Sequence, residues 1–228
     1  MAKAYFQSDL FDFLTELADN NRRDWFDANK KRYELHVKEA AFGFISDFGP
    51  HLREISPRFR AIPKAVGGSL FRIYRDTRFS KNKTPYKTHV GIHFRHEQAK
   101  DAHAPGFYLH LEPSGCFAGV GIWHPPSPAL KMIREHIVAK PGDWTAARDA
   151  KPFQKSFFLR GESLKTVPRG FDAEHELIED LRRKDFIGVT EFPADAVTKP
   201  DFLDLYASRC RDGAPLMRFL CDALDVPF

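Results

Sequence analysis

The chain has 228 residues, of which 43% are hydrophobic and 22 are phenylalanine, and a formal net charge of +4. That apolar content suffices for a sizeable core and excludes an intrinsically disordered chain, while no apolar run approaches the roughly 20 residues that cross a bilayer. The charge is too small for a dedicated duplex-DNA binder. Cys116, Cys210 and Cys221 are too widely spaced for a disulfide framework or a metal knuckle, and the first residues lack the apolar stretch of a signal peptide. A soluble cytoplasmic protein with reduced thiols and no membrane partner is expected.

Ser8 ahead of Leu10, Phe11, Phe13, Leu14 and Leu17 predicts an N-capped amphipathic helix, which Asn20-Asn21 breaks. A longer helix is expected from about Arg23 toward Phe48, carried by Trp25, Phe26, Tyr33, Val37, Ala41, Phe44 and Ile45. Gly49-Pro50 marks an end or kink there, and Ser56-Pro57 a firmer stop. From Ser69 to Trp123 the apolar period falls from about 3.6 to 2, the signature of strands. Phe71 and Ile73 alternate with Arg72 and Tyr74; Val90, Ile92 and Phe94 with His89, Gly91, His93 and Arg95; Phe107, Leu109 and Leu111 with Tyr108, His110 and Glu112. Pro113-Ser114-Gly115 turns the last of these into a hairpin with Cys116–Trp123. The result is an antiparallel sheet with one apolar face and one polar face.

Further on, Pro125-Pro126-Ser127-Pro128 leads into a helix near 129–139, ended by Pro141-Gly142, with a short helical turn opened by Asp143-Trp144. Residues 157–167 read as a short hairpin or strand pair around Arg160-Gly161-Glu162, Asp172 as the cap of a helix through about Arg183, and 186–192 as a strand. Pro200 suits the first turn of a C-terminal helix that is interrupted near Gly213-Ala214-Pro215. No repeat or linker divides the chain, so residues 1–228 read as one α+β domain: a central antiparallel sheet flanked by N-terminal and C-terminal helices.

Chemistry concentrates in residues 72–87, where six cations (Arg72, Arg75, Arg78, Lys81, Lys83, Lys87) meet one carboxylate, Asp76, among Tyr74, Phe79 and Tyr86. Arginine forks grip carboxylate or phosphate oxygens bidentately and lysine adds a mobile point charge, a mixture suited to an oxyanion pocket. The flanking arginines lower the pKa of Asp76 and make it a poor general base, so it is assigned the orientation of an arginine. Tyr86 would donate a hydrogen bond or stack on a base. The competing reading is an internal ion-pair network that joins sheet to helix, a structural or protein-interaction role. A third, general nucleic-acid binding, predicts affinity that falls steeply with salt.

Elsewhere the signals are weaker. His89 and His93 lie roughly 13 Å apart on an extended strand, too far for one ion, so no metal site is expected. Ser80, Thr84 and Cys116 lack the setting of a nucleophile. Neither a phosphate loop nor a dinucleotide fingerprint is present, and no cofactor is expected.

The pattern Arg72-x-x-Arg75-Asp76-x-Arg78-Phe79-x-x-x-Asn82-Lys83-x-x-Tyr86 resembles the hallmark of an uncharacterised domain-of-unknown-function family of bacterial, and some fungal, proteins. Asn20-Asn21-Arg22-x-x-Trp25-Phe26-x-x-Asn29-Lys30 and Pro168-Arg169-Gly170-Phe171 are similar to that family as well, so the resemblance runs along nearly the whole chain. It implies no activity. It does suggest that Lys165 and Arg169 join the first basic segment. The candidate ligand-binding residues are therefore Arg72, Arg75, Asp76, Arg78, Lys83, Tyr86 and Lys87, with an anionic small molecule or nucleotide as the expected partner.

Overall fold

A computed structural model describes residues 3–99, 104–193 and 195–228. Helix α1 (Ser8–Asp19) buries Leu10, Phe13, Leu14 and Leu17, the i, i+3, i+4, i+7 set of one helix face. Ser8 falls inside the helix, with Gln7 at the N-cap position and no side-chain cap. After the Asn20-Asn21 break comes α2 (Arg23–Ala28), which pauses at Asn29. The chain then runs without interruption through α3 (Lys30–Arg32), a π-helical stretch (Tyr33–Glu39) and α4 (Ala40–Ile55). Gly49-Pro50 does not end α4. Pro50 is exposed, and the carbonyl its ring leaves without a partner belongs to exposed Ser46, where water can satisfy it.

The sheet is α+β in its setting and antiparallel throughout, with order β1-β2-β3-β5-β4. Its strands are β1 (Val90–Arg95), β2 (Gly106–Glu112), β3 (Gly115–Ile122), β4 (Phe158–Arg160) and β5 (Phe186–Phe192). Parity behaves as the alternation predicts: Val90, Ile92, Phe94, Phe107, Leu109, Leu111, Ala118 and Val120 are all buried on one face. There α4 packs Phe48 against Phe94 at 4.6 Å and against Tyr206 of α9 (Phe202–Asp212) at 4.9 Å. Helix α10 (Ala214–Ala223) completes the layer beside β3. Helices α5 (Ser127–Ala139), α6 (Pro141–Arg148), α7 (Lys151–Ser156) and the short α8 (Ile178–Leu181) fill the second half.

Three local expectations change. Residues 69–75 form no regular strand; they run along the edge of β1 through Phe71 N–H to Gly91 O (2.9 Å) and His93 N–H to Ser69 O (2.8 Å), with an isolated bridge between Leu70 and Ile92. Residues 157–167 are not a self-contained hairpin, because β4 pairs with β5 and Gly161 then turns the chain at φ +114°. Asp172 accepts the Glu174 N–H at 3.0 Å in a turn, and the helix beyond it shrinks to four residues. Among the described residues, no helix is long and apolar enough to cross a membrane.

The other sheet face carries rings laid over glycines. A Cβ on Gly91 would meet the Tyr108 hydroxyl at 2.8 Å, and one on Gly106 would overlap the His93 imidazole. His89, His110 and Phe117 stack in sequence across the strands with 4.6 Å between neighbouring ring centroids. This face meets the hallmark segment at the β1 edge.

Candidate functional site

The hallmark folds back on itself at its base. Tyr74 and Tyr86 form an antiparallel bridge, Arg75 N–H donates to Pro85 O (2.9 Å) and Lys87 N–H donates to Ile73 O (2.8 Å). Tyr86 is the anchor: its ring is 3% exposed and stacks on Phe26 with centroids 4.1 Å apart and planes inclined by 20°. Tyr74 covers it from another side at 5.5 Å. Asn21 clamps the same residue with both ends of its amide, donating to Tyr86 O and accepting from Tyr86 N–H, each at 3.0 Å. The Asn20–Lys30 motif is thus the socket in which the hallmark sits. Tyr86 is buried and Phe26 covers one face of its ring, and the residue also lines the adjoining cleft.

Beside this anchor lies a cleft of about 370 Å³, between the end of α1 and residues 75–89. Ala18, Asn21, Arg75, Asn82, Thr84, Tyr86, Lys87, Thr88 and His89 line it, and no acidic residue does among the described residues. The Arg75 guanidinium donates to the Thr84 hydroxyl, which in turn donates to Asn82 Oδ1 at 2.9 Å. Lys87 lies 5.3 Å above the Phe71 ring; burial, and then the Arg72 cation, lower its pKa. Burial also carries His89 down to about 4, with His110, Lys87 and Arg75 adding to the shift and Glu112 opposing it. Among the described residues, Arg72, Arg75 and Lys87 form no ion pair with a carboxylate. Positive charge is therefore gathered at the cleft, with Glu112, behind Thr88 and His89, as the nearby carboxylate.

The remaining candidates stand outside it. Asp76 accepts from the Arg78 backbone N–H (3.2 Å), Nε (3.0 Å) and Nη2 (2.7 Å), a local and solvent-exposed clasp. The Arg78 hydrogen bonds hold the carboxyl at about 2, in keeping with orientation of an arginine rather than proton transfer. Lys83 Nζ donates to Thr77 O at 2.8 Å and braces the loop. Lys165 and Arg169 follow β4, which lies at the sheet edge opposite β1.

Tyr108, His110 and Glu112 make a hydrogen-bonded row along β2. Tyr108 Oη lies 2.9 Å from His110 Nδ1, and His110 Nε2 lies 3.3 Å from Glu112 Oε2. His93 is 7% exposed and wedged against Phe71 and Tyr108. Cys116 is buried, with its thiol directed at Glu112 O and its pKa raised by burial. A second, larger cleft of about 870 Å³ opens on the far side of His110, but Asp12, Glu112, Glu191 and Asp195 line it, a setting hostile to anions.

Sequence reasoning missed Asn21, Thr84, Thr88 and His89 as cleft residues. Asn21 was visible as part of a motif but not as a partner of Tyr86, 65 positions away. A search of curated proteins and a search of solved structures each returned no match. A family model described as "Conserved hypothetical protein (DUF2461)" matches residues 9–219, which takes in the socket, the hallmark, the whole sheet and most of α10. The chain belongs to this conserved hypothetical protein family.

Proposed function

We propose that the protein binds a phosphate-bearing small anion in the cleft between α1 and residues 75–89. The observation that carries this reading is the convergence of Arg75 and Lys87 on a cleft without a carboxylate, where Lys87 is already destabilised as a cation by burial and by Arg72. An anion would relieve that repulsion and accept hydrogen bonds from the side-chain amides of Asn21 and Asn82. The cleft volume, about 370 Å³, sits at the lower end of small-molecule sites and suits a sugar phosphate or a mononucleotide. The binding set is therefore narrower than the hallmark: Arg75 and Lys87 supply direct charge, Arg72 supplies field, and the Asp76–Arg78 clasp lies outside. Cys116, Cys210 and Cys221, all buried free thiols, support a cytoplasmic setting.

Among the described residues, the alternative, an internal salt-bridge network, is favoured only by the Arg78–Asp76 pair, which is local and exposed rather than a joint between sheet and helix.

The test is a thermal-shift titration with inorganic phosphate, pyrophosphate, tripolyphosphate and nucleoside phosphates. A ligand of the folded state stabilises it by about 2.7 kcal/mol at 100 times its dissociation constant. Arg75→Ala and Lys87→Met should abolish the shift, and Arg78→Ala should retain it. Equal shifts in Arg75→Ala and the wild type would detach the ligand from the cleft and sink the proposal.

A further inference from the structure

Phe79 stands 95% exposed at the tip of the hallmark loop, a position where its ring contributes nothing to the core. It is the one large apolar side chain between Asp76 and Thr84, and its neighbours Thr77, Ser80 and Asn82 are all polar. The loop that presents it is braced. Asp76 grips Arg78 with three hydrogen bonds, Lys83 is tied to Thr77 O, and Asn82 Oδ1 accepts from both Thr84 N–H and Thr84 Oγ1 at 2.9 Å. The pinned Arg78 guanidinium lies 5.7 Å from the Phe79 ring centroid. The Asp76–Arg78 clasp thus gains a purpose that the cleft does not give it: it holds a cation against an aromatic ring that projects into water.

We propose that Phe79 is a stacking platform for a nucleobase, and that the anion recognised by this region is the sugar-phosphate chain of a single-stranded nucleic acid. The inference rests on the cleft being an anion site, and it names the class of ligand. Bases stack on an exposed aromatic ring whatever their sequence, while the backbone follows the positive charge. Lys81 and Lys83 follow Phe79 in the same loop, and Arg75 and Lys87 line the cleft at its base. A phosphate seated between Arg75 and Lys87 and a base on Phe79 would then belong to one strand. Duplex DNA is a poor fit, because its bases are already stacked and the net charge of the chain is only +4. An anionic membrane is a poor fit too, because one ring among hydroxyl and amide side chains offers little apolar area to the acyl region.

The test uses fluorescein-labelled oligothymidylate and oligouridylate of roughly 12 nucleotides, within the span of a single-stranded binding site, read by anisotropy at several salt concentrations. Tripolyphosphate, which has charge but no base, is titrated in parallel by thermal shift. The expected result is oligonucleotide binding that weakens by about 5- to 150-fold in Phe79→Ala, the loss of one stacked base, and recovers in Phe79→Trp. Tripolyphosphate binding should be unchanged in both variants. Equal oligonucleotide affinity of Phe79→Ala and wild type would overturn the inference. So would tripolyphosphate binding with no oligonucleotide binding, an outcome that leaves the cleft proposal standing; loss of both would remove the two together. A third arm uses vesicles of phosphatidylcholine and phosphatidylserine. Phe79-dependent vesicle binding without oligonucleotide binding would replace the nucleic acid with a membrane surface.

Discussion

Replacing Asn21 with alanine removes two hydrogen bonds of 3.0 Å that tie the end of α1 to the Tyr86 backbone. Both bonds are part-buried, so neither the Tyr86 N–H nor its carbonyl is fully hydrated once the amide is gone. At a net 0.5–1.5 kcal/mol per bond the loss is about 1–3 kcal/mol. For a chain of this size a loss of about 2 kcal/mol lowers the thermal midpoint by roughly 4–8 °C. The assay is urea unfolding followed by circular dichroism, with Asn20→Ala as the control. Asn20 makes its side-chain bond to Glu16 O in a solvent-facing position, so its removal should cost no more than about 0.5 kcal/mol. The denaturant slope should stay constant in both variants, since neither changes the surface exposed on unfolding. Asn21→Ala indistinguishable from Asn20→Ala would refute the socket, and with it the idea that the two motif segments form one unit.

Three further outcomes follow from the geometry. Burial holds His93 at about 4, below its ordinary value near 6.5, so on acidification the unfolded chain takes up the proton first. Stability is then lost as pH falls from about 6.5 to 4, by about 3 kcal/mol. Urea titrations should accordingly show the gap between wild type and His93→Gln shrinking by that amount across this window, and a constant gap would contradict the assignment. Gly106→Ala places a methyl against the His93 ring and should cost about 1–3 kcal/mol by overpacking; His93→Ala in the same chain should recover part of that loss if the clash is the cause. Arg78→Ala should leave the thermal midpoint in place, because the clasp with Asp76 lies in solvent, and a drop as large as that of Asn21→Ala would point to a structural role for the pair.

Much of this was legible in the sequence because it follows from local periodicity. Leu10, Phe13, Leu14 and Leu17 announce a helix face, and the alternation through β1 and β2 places Val90, Ile92, Phe94, Phe107, Leu109 and Leu111 on one side of the sheet, whereas Phe117 of β3 falls on the other. Local signals failed where a distant partner decides. Tyr86, set among cations, reads as a ligand-stacking ring, and nothing local to it shows that Phe26, remote in sequence, covers one of its faces. Residues 69–75 have strand parity, but the chain leaves the β1 edge after Phe71 to meet Pro85 and Lys87, so the ladder stops. The π-helical turn at Tyr33–Glu39 is invisible for another reason: it uses the residue pattern of an α-helix and shifts only the hydrogen-bond register. The cationic character of the hallmark was plain from composition. Which of its cations converge was not, since Arg75 and Lys87 share a cleft only after the Tyr74–Tyr86 bridge has formed.

The most direct measurement is the titration of the Lys87 ammonium by NMR of 13Cε-labelled lysine, with the resonance assigned through Lys87→Met. In the free protein Lys87 should titrate below the ordinary lysine value of 10.5, because burial and the neighbouring Arg72 disfavour its charge. Saturating tripolyphosphate should move that titration upward, and by linkage the anion should bind more tightly as pH falls through the Lys87 pKa. A Lys87 that titrates at the ordinary value and does not respond to the anion would contradict an anion site at this cleft.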